Sequence, residues 1–338
     1  MKATVYQGDK TFSVIEKEIE APEKGDVRIK VAYTGVCGTD VHIYHGMMDK
    51  RVKMPLTIGH EMSGVIDAVG EGVTNYKIGD KVVVRPLDDR LVKPSDKGFN
   101  HICENLKFIG IDSPGSMQQY WNVPAFVLHK LKDETDLKLA ALIEPLSVAT
   151  HDVRRSGLVA GETAVVLGGG PIGLLVAMVA KEVGAHVIVS EVNEKRIAKA
   201  KSLGLHAVNP VKVDLVEYVK EQTDNRRADV VFEVAGVQAA LDVMCEVAGI
   251  RGRIVMVAIH GQKKEVDLFK FFWKELSLIG ARVYEKEDYE KSIALITANE
   301  LPFEEMITDV QPLSNIQQVF ENIDNNPDGM KVLMDCQL

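Results

Sequence analysis

Ala164-Val165-Val166-Leu167-Gly168-Gly169-Gly170-Pro171-Ile172-Gly173 opens with a continuous apolar run and closes on glycines spaced G-x-G-x-x-G. A short run without polar alternation suits a parallel strand buried on both faces. Gly168 permits a tight turn, Gly170 lets a pyrophosphate approach the backbone, and Gly173 lets the next helix pack on the strand. The helix begun by Pro171 and Ile172 would offer free N–H groups and its positive end to the phosphates. Glu191 follows Gly168 by 23 residues, near the ~20 expected of the acidic residue that holds a ribose. A carboxylate there repels a 2′-phosphate and favours NAD over NADP. Its alternative reading is a solvated loop charge, and Ser190, Lys195 and Arg196 nearby weaken the preference.

Downstream of this turn, apolar runs and helical stretches alternate. Strands are expected at 187–190, 207–208, 229–233 and 253–257, with helices near 172–183, 194–203 and 238–247. Such alternation predicts a parallel α/β sheet. Upstream the texture differs. Val27-Arg28-Ile29-Lys30-Val31-Ala32-Tyr33 alternates with period two, the mark of a half-buried strand. Further short strands at 64–69 and 80–84, punctuated by Gly70, Gly72 and Gly79, argue for a barrel-like all-β unit. The C-terminal part reads as helices near 288–299 and 314–323 and a final strand at 331–334.

The β-rich part carries a second motif, Gly59-His60-Glu61-Met62-Ser63-Gly64, then Gly70 and Val73. Cys37, in Gly35-Val36-Cys37-Gly38-Thr39-Asp40, lies 23 residues before His60. A thiolate, an imidazole and a carboxylate are the ligand types that hold zinc with one position open to substrate. An open position suits catalysis rather than a structural staple. The alternative is a buried cysteine beside a capped His-Glu pair.

With 338 residues, 46% of them hydrophobic, the chain has length for two domains and apolar content for their cores. A net charge of −9 without a long Lys/Arg block argues against nucleic acid as a partner. No apolar run approaches the roughly 20 residues of a membrane span. Met1 to Glu20 is charged throughout and does not read as a signal peptide, so a cytoplasmic protein is expected. Cys37, Cys103, Cys245 and Cys336 form no Cys-x-x-Cys pair, which fits a reducing compartment.

A zinc motif in a β-rich domain followed by a dinucleotide fold resembles the zinc-containing alcohol dehydrogenases of the medium-chain dehydrogenase/reductase superfamily. The resemblance spans essentially the whole chain, and its most specific piece is Gly59 to Val73. Three segments bring it nearest the polyol group, which includes sorbitol dehydrogenase and the butanediol and sugar-acid enzymes. They are Cys37-Gly38-Thr39-Asp40-Val41-His42, Ala141-Leu142-Ile143-Glu144-Pro145-Leu146-Ser147-Val148-Ala149, and Met330-Lys331-Val332-Leu333.

The resemblance implies a GroES-like β-barrel catalytic domain over 1–148 and 286–338, and a Rossmann domain with a doubly wound parallel sheet over 149–285. It implies that Cys37, His60 and Glu61 are zinc ligands or their immediate partners, and that Glu144 binds the metal directly or through water. Thr39 and His42 match a proton relay, and Arg196 matches a contact to the cofactor ribose. The activity implied is NAD-linked interconversion of a secondary alcohol of a polyol or sugar derivative with its ketone. The alternatives are a sugar-acid substrate, or butanediol or an amino alcohol. A homodimer or homotetramer is also implied, with 276–279 as a candidate sheet edge between subunits.

Two departures matter. Many relatives hold a structural zinc with four cysteines near 84–106, where this chain keeps only Cys103. One cysteine does not build a closed tetrahedral site, so a single, catalytic zinc is expected and a lobe held by ordinary packing. The segment Gly115-Ser116-Met117-Gln118-Gln119-Tyr120 also departs from the relatives' pattern and alters a wall on the substrate side. Arg282 is a candidate for binding a substrate carboxylate through two parallel hydrogen bonds; its alternative is a subunit or cofactor contact.

Overall fold

Residues 1–326 and 328–338 are described by a computed structural model. The strand that decides the fold, Thr163–Leu167, is central in a six-stranded parallel sheet. The spatial order is His206–Val208, His186–Ser190, Thr163–Leu167, Ala228–Glu233, Ala248–Met256 and Ser277–Gly280. The chain builds outward from Thr163–Leu167 and then crosses to the other side with Ala228–Glu233. The carboxyl ends of these two strands therefore flank the switch point where open α/β sheets bind ligands. Val165 and Val231 are fully buried and meet Leu241, Met244 and Cys245 of the helix Gln238–Val247 in one core. Lys274 closes that helix. Its buried ammonium donates to the carbonyls of Cys245 (2.7 Å), Glu246 (3.3 Å) and Ala248 (2.9 Å).

Residues 145–288 form one compact unit, and residues 1–144 with 289–338 form the other. In the second unit the ten-residue strand Asp26–Gly35 is the spine. Its alternation sends Val27, Ile29 and Val31 inward, all fully buried. Glu61–Val69 pairs along one edge, while Tyr120–Pro124 takes the first half of the other edge and Lys331–Asp335 the last part. Lys81–Val84 and Leu128–Lys130 extend the sheet on one side and Ile307–Pro312 on the other. The last strand thereby arrives beside the start of the Gly59-His60-Glu61 strand, through Gly35. Among the described residues no helix is long and apolar enough to cross a membrane.

The lobe around Cys103 is held by more than packing. Asp96 accepts from the backbone N–H groups of Lys93 (2.6 Å) and Glu104 (3.1 Å). Lys93 pairs with Glu104 at 2.6 Å, Arg90 grips Asp88 through two bonds of 2.8 and 2.7 Å, and Asn105 donates to the Leu91 carbonyl. Leu87, Cys103 and Phe108 are buried beneath this polar mesh. Sequence reasoning did not see it, because the contacts join residues up to fourteen apart without periodicity.

Asp288 anchors the other unit electrostatically. Burial pushes its carboxyl up, but hydrogen bonds from His151 (2.7 Å) and Arg154 (2.6 Å) hold it down at about 2. A carboxyl depressed from 3.8 to about 2 contributes ~2 kcal/mol of stability above pH 4, lost as pH falls through 2. Asp288→Asn is therefore expected to destabilise the protein by ~2 kcal/mol at pH 7. Urea titrations should find the gap between variant and parent narrowing below pH 4. A gap that stays constant down to pH 2 argues against this ionic anchor.

Candidate metal and dinucleotide sites

Cys37 caps the helix Gly38–Tyr44. Its sulfur receives the Thr39 N–H at 3.5 Å, and Asp40 accepts from the Cys37 N–H at 2.9 Å. This reciprocal cap fixes the thiol at the end of the spine strand. His60 and Glu61 enter from the opposite direction. Gly59 turns the chain with φ +103°, where a side chain would stand 2.8 Å from Met117. Glu61 then opens its strand directly across from Gly35. A Cβ on Gly35 would lie 2.2 Å from the Glu61 Oε2, so the glycine is what lets the carboxylate lie over the neighbouring strand.

Ligand atoms of Cys37, His60 and Glu61 lie within 4.8 Å of one another. Tetrahedral zinc, with bonds of about 2.0–2.3 Å, needs ligand atoms roughly 3.5 Å apart, so small side-chain shifts close the set around an ion. His60 is 2% exposed. Its Nδ1 faces Asp40 Oδ1 at 3.6 Å, and neither atom has a hydrogen-bond partner among the described residues. Burial alone would lower the His60 pKa, but Asp40, Cys37 and Glu144 hold it well above the ordinary imidazole value. Sulfur, nitrogen and oxygen donors, a surplus of anionic groups and partnerless buried atoms together fit a divalent cation.

Glu144, in the first turn of the helix Ile143–Ser156, is buried and near enough to act on His60, but it is not a member of the converging trio. Thr39 and His42 lie one turn apart on the Cys37-capped helix, each half-buried. The residue missed from sequence is Lys331. It is 3% exposed, its ammonium pairs with the Glu61 carboxylate, and it donates to the Val36 carbonyl at 3.0 Å. A lone lysine opening the apolar strand Lys331–Asp335 was the available signal.

In the other unit Gly168 turns with φ +111°, and a side chain there would press on Ala235 at 3.0–3.1 Å. A Cβ on Gly173 would come within 1.9 Å of the Gly168 carbonyl, so helix and strand touch through bare backbone. At Gly170 the nearest atom to such a Cβ is Arg196 Nη1 at 3.6 Å, which leaves the backbone approachable. The helix Pro171–Glu182 starts with proline at its first position, Ile172 beside it, and no side-chain cap on its N–H groups. Glu191 is held by the N–H groups of Gly169 (2.8 Å), Val192 (2.7 Å) and Asn193 (2.9 Å), with Arg196 at 3.9 Å. The cradle thus has bare glycine at each close approach and an anchored carboxylate where a ribose is expected. Arg282 lies elsewhere. It follows the edge strand Ser277–Gly280, is exposed, and has no ion-pair partner among the described residues.

The alcohol dehydrogenase GroES-like domain matches residues 23–133, and the zinc-binding dehydrogenase family matches residues 171–298. A 2-dehydro-3-deoxy-L-galactonate 5-dehydrogenase of Pseudoalteromonas atlantica is 56% identical over 337 residues, covering 99% of each chain. A sorbitol dehydrogenase of Halalkalibacterium halodurans is 34% identical over 99% of each chain. Among solved structures, an alcohol dehydrogenase of Escherichia coli in complex with NADH is 30% identical, with a TM-score of 0.91 and 99% of each chain covered.

Proposed function

This chain belongs to the zinc-containing medium-chain dehydrogenase/reductase superfamily, and from that premise we propose that it oxidises a secondary alcohol of a deoxy sugar acid with NAD. The observation that carries the chemistry is the convergence of Cys37, His60 and Glu61 at the end of the spine strand. The sugar-acid choice over a neutral polyol rests on the 56% identity to a dehydrogenase of that substrate type.

Bound at Cys37, His60 and a carboxylate, zinc supplies Lewis acidity toward the substrate hydroxyl, and NAD supplies the hydride acceptor. Cys37 and His60 hold their donor atoms in place through the helix cap and the Asp40 carboxylate. Glu61, with Glu144 close to His60, is the carboxylate that would complete the metal's donor set. Thr39 accepts the proton of the substrate hydroxyl as it passes its own hydroxyl proton on toward His42, one turn along the helix, which releases a proton to water. In the other unit Gly168, Gly170 and Gly173 seat the pyrophosphate, while Glu191, with Arg196 beside it, takes the adenine ribose.

One zinc per subunit is part of this reading, supported by the ion pairs and side-chain caps that fill the Cys103 lobe. Association of subunits through Ser277–Gly280 is supported by its position at the sheet edge with Leu278 exposed. The helix Leu268–Lys274 nearby also exposes Phe269, Phe272 and Trp273. Four free cysteines suit a reducing, cytoplasmic setting.

The test is metal analysis together with a substrate screen. Sugar acids, polyols and butanediols are offered with NAD and with NADP, and reduced nicotinamide is followed by absorbance. About one zinc per chain and turnover of sugar acids with NAD are expected. Active protein without zinc overturns the chemistry, and turnover of neutral diols alone overturns the substrate. Arg282→Ala in the same screen separates its two readings. Loss confined to acidic substrates supports carboxylate binding, and equal loss for all supports a subunit or cofactor contact.

A further inference from the structure

We infer that His260 accepts a hydrogen bond from the nicotinamide-nucleoside half of the cofactor, oriented for that task by the buried carboxylate of Glu233. The inference rests on the NAD reading above and adds to it a residue that no sequence motif marks.

Glu233 ends the strand Ala228–Glu233, beside the switch point, and is fully buried. Each of its polar atoms is committed. Oε1 accepts from the Gly236 N–H at 2.7 Å, and the backbone carbonyl accepts from Val257 (2.9 Å) and Ala258 (3.0 Å). Oε2 lies 3.1 Å from His260 Nε2. One side chain thus ties the turn after its own strand to the segment that leaves the next strand, Ala248–Met256. That turn contains Ala235, the residue against which Gly168 is pressed. The glycine turn and His260 are therefore joined through a short run of direct contacts.

The chemistry of the pair fixes what His260 offers. A carboxylate only accepts, so the proton in the Nε2···Oε2 contact belongs to the imidazole. With Nε2 carrying that proton, Nδ1 of a neutral imidazole is the ring's free acceptor. It is buried and has no hydrogen-bond partner among the described residues. An acceptor left so forgoes the hydrogen bonds it makes in water, and such cases in folded proteins call for a functional explanation. The position supplies one. Glu191 and the glycine turn occupy the half of the sheet expected to hold the adenosine and pyrophosphate. His260 follows the strand Ala248–Met256 on the other side of the switch point, where the second nucleoside lies in a doubly wound fold. That nucleoside brings N–H donors in its carboxamide and O–H donors in its ribose, the partners that a bare Nδ1 requires.

The experiment is fluorescence titration of NADH, with ADP as the ligand lacking the second nucleoside. Two replacements separate the two ring nitrogens. His260→Gln keeps a donor for Glu233 but removes the acceptor. His260→Asn keeps an oxygen near the position of Nδ1. The Gln variant should bind NADH roughly five- to tenfold more weakly, the loss of one hydrogen bond, and ADP as the parent does. The Asn variant should recover part of the loss. With the 3-acetylpyridine analogue, which lacks the carboxamide N–H, the deficit disappears if the carboxamide is the donor and persists if a ribose hydroxyl is; both support the inference. Unchanged NADH binding in the Gln variant, or equal weakening of NADH and ADP, overturns it and leaves the proposed function standing. A parent protein that binds no NADH overturns both.

Discussion

Cys37→Ala is expected to leave the purified protein without stoichiometric zinc and to lower kcat/KM by roughly 10³-fold or more. Lewis-acid stabilisation is worth several kcal/mol, at 1.36 kcal/mol per decade of rate. Alanine removes the only soft donor of the set, and neither Glu61 nor Glu144 replaces a thiolate in affinity for zinc. The loss should be specific to the metal site. Cys37 is half-buried, and its cap on the Gly38–Tyr44 helix has a second half, in which Asp40 receives the Cys37 N–H. The backbone part of the cap therefore survives in the variant, and a cap residue changed to alanine costs about 1 kcal/mol. NADH binding, proposed for the unit holding Gly168 and Glu191, should be unchanged. Metal analysis, NADH titration and turnover are measured on one preparation. Full zinc with full turnover in the variant removes Cys37 from the mechanism, and a parallel loss of NADH binding points to general damage.

The two sites were unequally legible in the sequence. The dinucleotide cradle could be read residue by residue because its logic is local. The strand, the turn and the helix start lie within ten residues, and Gly173 is demanded by a contact inside that stretch, the 1.9 Å approach to the Gly168 carbonyl. The central strands Thr163–Leu167 and Ala228–Glu233 were legible for a related reason, since strands buried on both faces carry near-unbroken apolar runs bounded by turns. Cys37, His60 and Glu61 were visible as types and spacing, but their meeting depends on the pairing of Gly35 with Glu61. The groups behind them were far less visible. Asp40 reads as an ordinary helix-start acid until His60 is folded against it. Lys331 is 270 residues from Glu61 in sequence and reaches it only because the final strand pairs with the end of the spine. Glu233 and His260 belong to no motif, and only the parallel sheet brings their chain segments side by side. The short helices Gly38–Tyr44 and Leu215–Gln222 were missed because two turns hold too few apolar positions to show a period.

Lys331 carries the largest effect expected on stability. Its ammonium is almost wholly buried and faces a Glu61 carboxylate that is 1% exposed. Removing one member of a buried ion pair leaves the other charge uncompensated, at a cost of about 3–5 kcal/mol. Lys331→Met keeps the stem's volume and removes the charge, so in chelated protein it should lower the thermal midpoint by roughly 10 °C. Zinc gives Glu61 another positive neighbour, and the same variant loaded with zinc should lose markedly less. Lys331→Arg keeps the charge and should stay near the parent in both states. The cause is isolated by a double-mutant cycle. In a Glu61→Gln background no carboxylate remains to be stranded, and Lys331→Met should then cost a fraction of its effect in the parent. If it costs as much there, the lysine acts through packing or through its bond to the Val36 carbonyl, and Glu61 is positioned by something else.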